Sequence, residues 1–298
     1  MTTPKLIKTE MPNAVFATLD QFETNALVNA FVDDQHHAVA AVQAAAPDIA
    51  RAVEVAVPRI RSGGRLIYAG AGTSGRLGLL DSVELNPTFS WPDERTVALL
   101  AGGQDALYRA VEGAEDSREM GASDIAGAGV SANDVVLLLA ASGSTPYVMG
   151  AIDEARARGA LTIGVANNPG SPVAAHAELG ITLDTGSEVI SGSTRLKAGT
   201  AQKIFLNTFS SCVMVRLNKV YGNLMVDVRA TNAKLVQRCI NLTVTATQCE
   251  PDIARRVLAE CEFQVKTAIV SIRREVSVER ARQILVDTDG SLRAALEN

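Results

Sequence analysis

The chain has 298 residues, 47% of them hydrophobic and only 4% aromatic, with a net charge of −5 and a pI of about 5.4. That length supports one large domain with appendages, or two, around a core of Ala, Val, Leu and Ile. An acidic balance without a basic stripe or stacking platform excludes a nucleic-acid surface, and the longest strand-like apolar run, Val135 to Ala141, is far too short to span a bilayer.

Residues 1 to 12 hold no apolar signal core, so a cytoplasmic protein without a membrane segment is expected. The four cysteines, Cys212, Cys239, Cys249 and Cys261, form no C-x-x-C pair and read as free thiols. His36, His37 and His176 are not near them, which leaves no metal-ligand cluster. His36 and His37 follow Asp33 and Asp34 and read as a polar helix end. His176 reads as a packing or surface residue. No cofactor is expected.

Residues 1 to 19 are polar and expected to be irregular. From Asp20 to about Arg61 the pattern is helical, with Asp20 and Glu23 spaced as an N-terminal cap. Pro47 and Pro58 are expected to divide this region, and Gly63-Gly64 to stop it.

The organising stretch follows, residues 65 to 84. The apolar run Leu66 to Ala69 breaks at Gly70, Gly72 and Gly75, then resumes at helical spacing with Leu77, Leu79 and Leu80. This reads as strand, tight turn, helix start, a geometry that exposes helix N–H groups to an anion. Thr73 and Ser74 add hydroxyls there. Gly70-x-Gly72-x-x-Gly75 is also the dinucleotide fingerprint, but that reading needs an acid at the end of the next strand. Thr96 to Ala101 ends instead in Gly102-Gly103-Gln104, which favours a small phosphorylated ligand over NAD.

Further strands are expected at Thr96–Ala101, Val135–Ala141, Leu161–Ala166 and Gly180–Leu183, with helical patterns at Leu77–Glu84, Ala106–Glu119 and Tyr147–Arg158. Continuous apolar strands alternating with helices predict an α/β fold, a five-stranded parallel sheet covered on both faces. Ligand loops then lie at the strand carboxyl ends. Two more hydroxyl-rich turns fall there, Ser142-Gly143-Ser144-Thr145 before Pro146, and Ser191-Gly192-Ser193-Thr194 before Lys197. A single such loop is adequately explained as a helix cap. Three on one sheet edge point to a polyhydroxy, phosphorylated ligand. Helices are expected from Leu196 to Asn218, from Asp227 to Ala246 and in short pieces to the end. The domain expectation is an N-terminal helical segment (1–55), a sugar-phosphate domain (56–220) and a C-terminal helical region (221–298).

Gly-Ala-Gly-Thr-Ser-Gly-Arg-Leu-Gly (70 to 78), Ala-Ser-Gly-x-Thr-Pro-Tyr-Val (141 to 148) and Gly-Ser-Thr-Arg-x-Lys-Ala-Gly-Thr-Ala-Gln-Lys (192 to 203) resemble the sugar isomerase (SIS) fold and, more closely, the N-acetylmuramic acid 6-phosphate etherases. Lys-Val-Tyr-Gly-Asn-Leu-Met-Val-Asp-Val (219 to 228) fits the same family. The likeness runs from about residue 6 to the end. It implies a lyase of amino-sugar catabolism that cleaves the D-lactyl ether of N-acetylmuramic acid 6-phosphate, giving N-acetylglucosamine 6-phosphate and D-lactate. It also implies a homodimer with sites at the subunit interface, no metal, and a C-terminal module similar to a ubiquitin-associated domain. Three departures stand out. Residues 81 to 88 read Asp-Ser-Val-Glu-Leu-Asn-Pro-Thr where Asp-Ala-Ser-Glu-Cys-Pro-Pro-Thr is more usual. Ser187 replaces a usual Pro. Ser144 replaces a usual Arg, which removes a cation from a ligand loop.

Such chemistry needs a base for the C2 proton of an open-chain sugar and an acid for the departing lactyl oxygen. The resemblance points to Glu84 and Glu115 as this pair; on our reading Glu84 is the donor and Glu115 the base, the reverse assignment remaining open. The hydroxyl-rich loops are expected to hold the phosphate through Thr73, Ser74, Ser142, Ser144, Thr145, Ser193 and Thr194 with backbone N–H groups, with Gly72 also at the substrate, Lys197 adding charge and Glu188 a ligand contact. Taken alone, two glutamates among 33 acidic residues would read as solvated surface. Rival readings are a sugar-phosphate isomerase, which would yield a ketose phosphate, and a non-catalytic sugar-phosphate-binding regulator, which would bind without turnover.

Overall fold

The computed structural model describes residues 7–228 and 230–297. Five strands, β1 (Leu66–Gly70), β2 (Thr96–Leu100), β3 (Val135–Ala140), β4 (Leu161–Ala166) and β5 (Leu179–Thr182), form one parallel sheet in the order β2-β1-β3-β4-β5. Leu66 pairs with Thr96 on one side and Val135 on the other. Every residue of β1, β3 and β4 is buried, whereas β2 and β5 at the edges are mostly half-buried. That gradient explains the sequence pattern: strands covered on both faces need unbroken apolar runs.

Helices α1 (Thr24–Asp34), α2 (His36–Ala44) and α3 (Ala46–Arg61) precede the sheet. Within it, α4 (Gly72–Phe89) follows β1, α5 (Asp105–Tyr108) and α6 (Arg118–Gly127) follow β2, α7 (Pro146–Ala157) follows β3 and α8 (Pro172–His176) follows β4. α9 (Lys197–Arg216) follows β5, and α10 (Ala233–Thr247), α11 (Pro251–Glu260), α12 (Val265–Arg274), α13 (Val278–Asp287) and α14 (Leu292–Glu297) complete the chain.

The described residues fall into two compact units. One comprises those up to Ser82 with Glu94–Ser210, the other Val83–Asp93 with those from Ser211 onward. In the first, Ile67, Val136 and Leu138 from the sheet pack with Ile125 of α6 and Val148 and Ile152 of α7. Each such aliphatic side chain contributes about 1.5–3 kcal/mol relative to exposure. From the first unit's strand β1, fully buried Tyr68 donates its hydroxyl to Asp81 (3.0 Å), and Asp81 also accepts from Ser210 (3.3 Å). A buried phenol is tolerated here because its polar end is satisfied. The second unit has its own core, in which Ile240, Leu258, Ile269, Ile284 and Leu292 meet the buried thiols of Cys239 and Cys261. Burial pushes the Cys261 thiol up to about 11. All four cysteines are free, Cys249 half-buried and Cys212 exposed.

Several local expectations need correcting. Pro47 and Pro58 do not divide the N-terminal helices; both lie in α3. Pro47 sits in the first turn, where no N–H is needed, and Pro58 in the last, where its missing N–H removes one intrahelical bond without ending the helix. Asp20 caps nothing: it lies in a 3-10 turn, Leu19–Gln21, and α1 begins after Glu23 with no side-chain cap. The Ala106–Glu119 pattern is not one helix. α5 already ends at Tyr108, where Arg109 turns extended (φ −146°); Gly113, at φ +72°, then leads into a 3-10 turn, Ala114–Asp116, and Ser117 caps α6 by accepting from the Met120 N–H (3.1 Å). The helix expected from Asp227 starts only at Ala233, behind an Asn232 cap.

Candidate active site

The strand order reverses between β1 and β3, so the chain leaves their carboxyl ends in opposite directions and opens a crevice. The turn after β1 forms one lip. A Cβ at Gly75 would lie 2.4 Å from a Leu100 methyl and 2.6 Å from the Gly70 carbonyl oxygen, so only glycine lets α4 start this close to the strand. Thr73 and buried Ser74 therefore sit in the first turn of α4, at the mouth of the crevice. The turn after β3 forms the other lip. Gly143, at φ +80°, packs against Ser171 where a Cβ would lie 2.2 Å from the Ser171 Cβ. Ser142 accepts from the Ser144 N–H (3.3 Å), its hydroxyl is 3.4 Å from that of Thr145, and Pro146 opens α7.

These lips enclose a cavity of about 390 Å³ lined by Gly72, Thr73, Ser74, Ser142, Ser144, Thr145 and Thr194, together with Glu115, Asp116 and Glu10. All three hydroxyl-rich loops and one of the two predicted carboxylates thus share one space. Glu115 arrives on the 3-10 turn after Gly113, which buried Ala114 anchors while the Glu115 carboxylate stays exposed. A second chamber of about 420 Å³ adjoins the first, sharing Ala71, Gly72 and Glu115 with it, and is lined by Arg76, Val111 and Glu112.

Four predicted residues do not line the cavity. Ser193 is half-buried in the loop before α9. Glu188 is fully buried, and its two carboxylate oxygens accept the N–H groups of Lys197 (3.1 Å) and Ala198 (2.9 Å), capping α9. Burial raises its pKa despite those bonds. Lys197, also buried, pairs with Asp34 at 2.8 Å and donates to the Ser187 carbonyl. Asp34, the last residue of α1, is buried in this pair, while His36 and His37 at the start of α2 are exposed, the polar helix end expected of them. Together these groups hold the loop that presents Thr194. Glu84 is exposed on α4. His176, outside the cavity, pairs with Asp153 at 3.0 Å on the surface.

Glu10 was not legible in the sequence. The 3-10 turn Lys8–Glu10 is pinned through Thr9, which is fully buried. Its N–H donates to the Asn168 side chain (3.2 Å), whose amide returns a bond to the Thr9 hydroxyl (3.0 Å) and another to the Ala141 carbonyl (3.0 Å). The Gly192 N–H donates to the Thr9 carbonyl (3.1 Å). Contacts 159 residues apart leave no periodic signal.

Among the described residues, no lysine or arginine lines the first cavity, and no cluster of His, Cys, Asp and Glu is arranged to hold a metal ion. An anion there would meet hydroxyls and the N-terminal ends of α4 and α7, whose outward N–H groups and dipoles favour negative charge.

Relatives match this architecture. A profile described as the glucokinase regulatory protein N-terminal SIS domain matches residues 48–156, and an SIS domain profile matches residues 119–211. The chain is similar to a protein of Deinococcus radiodurans named N-acetylmuramic acid 6-phosphate etherase, with 54% identity over 99% of this chain and 96% of that one. A protein of the same name from Streptomyces avermitilis is 47% identical over 97% of this chain and 93% of its own. Another, from Escherichia coli O81, is 46% identical over 97% of both. With identity at this level over nearly the full length, the chain belongs to the N-acetylmuramic acid 6-phosphate etherase family.

Proposed function

We propose that the chain cleaves the D-lactyl ether of N-acetylmuramic acid 6-phosphate, yielding N-acetylglucosamine 6-phosphate and D-lactate. The meeting of three hydroxyl-rich loops and Glu115 in one crevice carries this reading. The 6-phosphate is held by Thr73, Ser74, Ser142, Ser144, Thr145 and Thr194 with the first N–H groups of α4 and α7. Ser193, Glu188 and Lys197 act through the loop that presents Thr194. Glu115 removes the C2 proton of the open-chain sugar. The C2–H electrons form the C2–C3 double bond, the C3–O bond breaks, and the lactyl oxygen takes a proton from Glu84. Water then adds across the double bond, its oxygen to C3 and a proton to C2. In this scheme the chain works as a homodimer in the cytoplasm, and Glu84 is supplied to the cavity of a second copy. The C-terminal helices include a ubiquitin-associated-like module.

Incubation with N-acetylmuramic acid 6-phosphate is expected to release D-lactate, and the unphosphorylated sugar to be a far poorer substrate. A ketose phosphate product would make the protein an isomerase, and binding without turnover a regulator. Either result overturns the lyase reading.

The Ser144 departure makes a separate expectation. Ser144→Arg places a cation beside a phosphate site that has none, and KM should fall by about two- to fivefold at low ionic strength. The gain should shrink as salt is added, which kinetics at two salt concentrations would check.

A further inference from the structure

The substrate of the proposed reaction has two anionic ends. The hydroxyl-lined chamber suits one, the phosphate. The other is the carboxylate of the lactyl group, attached through oxygen at C3, next to the carbon that Glu115 would deprotonate. Glu115 lies on the wall shared by the two chambers. With the phosphate in the first chamber and C2 at Glu115, the second chamber is the adjoining space that a substituent at C3 could enter.

That chamber has matching chemistry. Its walls include Ala101, Ala106, Val111 and Ala114, small apolar surfaces for the lactyl methyl group. Among the described residues, Arg76 is the one cation that lines either chamber. Two bonds hold its guanidinium: Nε donates to the Ala106 carbonyl (2.8 Å) and one terminal nitrogen to the Arg109 carbonyl (3.3 Å). A guanidinium has five N–H donors in a planar fork, so donors remain beyond these two bonds. Anchored at one edge, Arg76 is preorganised to meet a carboxylate with the other. Glu112 lines the same chamber and opposes it, so the net attraction depends on the arginine.

We propose that the second chamber is the lactyl subsite and that Arg76 binds the lactyl carboxylate, giving the protein its preference for a sugar with a carboxylate-bearing ether at C3. The proposal rests on the etherase reading above. The test is steady-state kinetics with N-acetylmuramic acid 6-phosphate beside equilibrium binding of N-acetylglucosamine 6-phosphate, which lacks the lactyl group. Arg76→Met should raise KM for the ether by about 10- to 100-fold and leave the affinity for the lactyl-free sugar phosphate within about twofold. Arg76→Lys should recover part of the loss. Glu112→Gln, which leaves the arginine's carbonyl bonds in place, should lower KM for the ether by about two- to fivefold. The assignment is overturned if Arg76→Met leaves KM unchanged, or weakens both ligands equally as a collapsed loop would. Should Arg76→Met fail to fold, an unchanged KM in Glu112→Gln overturns it and a lowered one supports it. Absence of D-lactate from the unmodified protein defeats the etherase reading itself; turnover with an indifferent Arg76 defeats only the subsite.

Discussion

Glu115→Gln is expected to lower kcat by about 10²–10⁴-fold, the usual contribution of a positioned acid or base. The amide keeps the size of the side chain but cannot accept the C2 proton. Glu115 is exposed on a turn held by Ala114 and Gly113, so the change should cost no more than about 0.5 kcal/mol of stability, and ligand binding should persist. Solvent hydrogen exchange at C2 gives a direct readout: with deuterated water, the unmodified protein should label C2 of the product and Glu115→Gln should not. Glu84→Gln should lose turnover comparably. If Glu84 is delivered by a second copy, mixing the two inactive variants should restore activity, because a mixed dimer has one site with both carboxylates intact. Mixed dimers without any activity would place both groups in one chain.

The largest stability effect is expected at Lys197. Lys197 is 3% exposed, and its ammonium faces Asp34, 6% exposed, at 2.8 Å. Removing one partner of a buried pair strands the other charge, at about 3–5 kcal/mol. Lys197→Met should therefore loosen the sheet-bearing unit, seen as faster exchange of the β3 and β4 amides. Replacing both partners together, Asp34→Leu with Lys197→Met, should recover much of the loss, because no uncompensated charge remains. Equal losses in the single and double variants would show that the pair does not hold this region. The loop carrying Thr194 ends at Lys197, so Lys197→Met should also weaken phosphate binding.

The sequence and the structure agree best where one physical cause dominates. Each predicted strand lies within a residue or so of the observed one, because β1, β3 and β4 are buried on both faces and so carry uninterrupted apolar runs. The glycine turn was equally legible, since Gly70 and Gly75 sit where backbone meets backbone and no side chain fits. Agreement fails where local pattern competes with a distant partner. Asp34 and Asp33 look alike along the chain, yet one is buried because Lys197 lies 163 residues away. Glu188 and Lys197 resemble ligand groups by position, but the fold turns them inward as a helix cap and an ion pair. Glu10 falls in a stretch that reads as polar and irregular, yet the Thr9–Asn168 bonds pin it beside the cavity.

Periodicity and glycine placement thus specified the parallel α/β sheet and its phosphate-suited turns, because those features follow from short-range sterics and the burial of neighbouring residues. Which carboxylates face the crevice, and which lysine is locked inside, was decided only on folding. A single buried charge is stable or ruinous according to a partner that chain distance does not reveal, and only tertiary packing brings the two together.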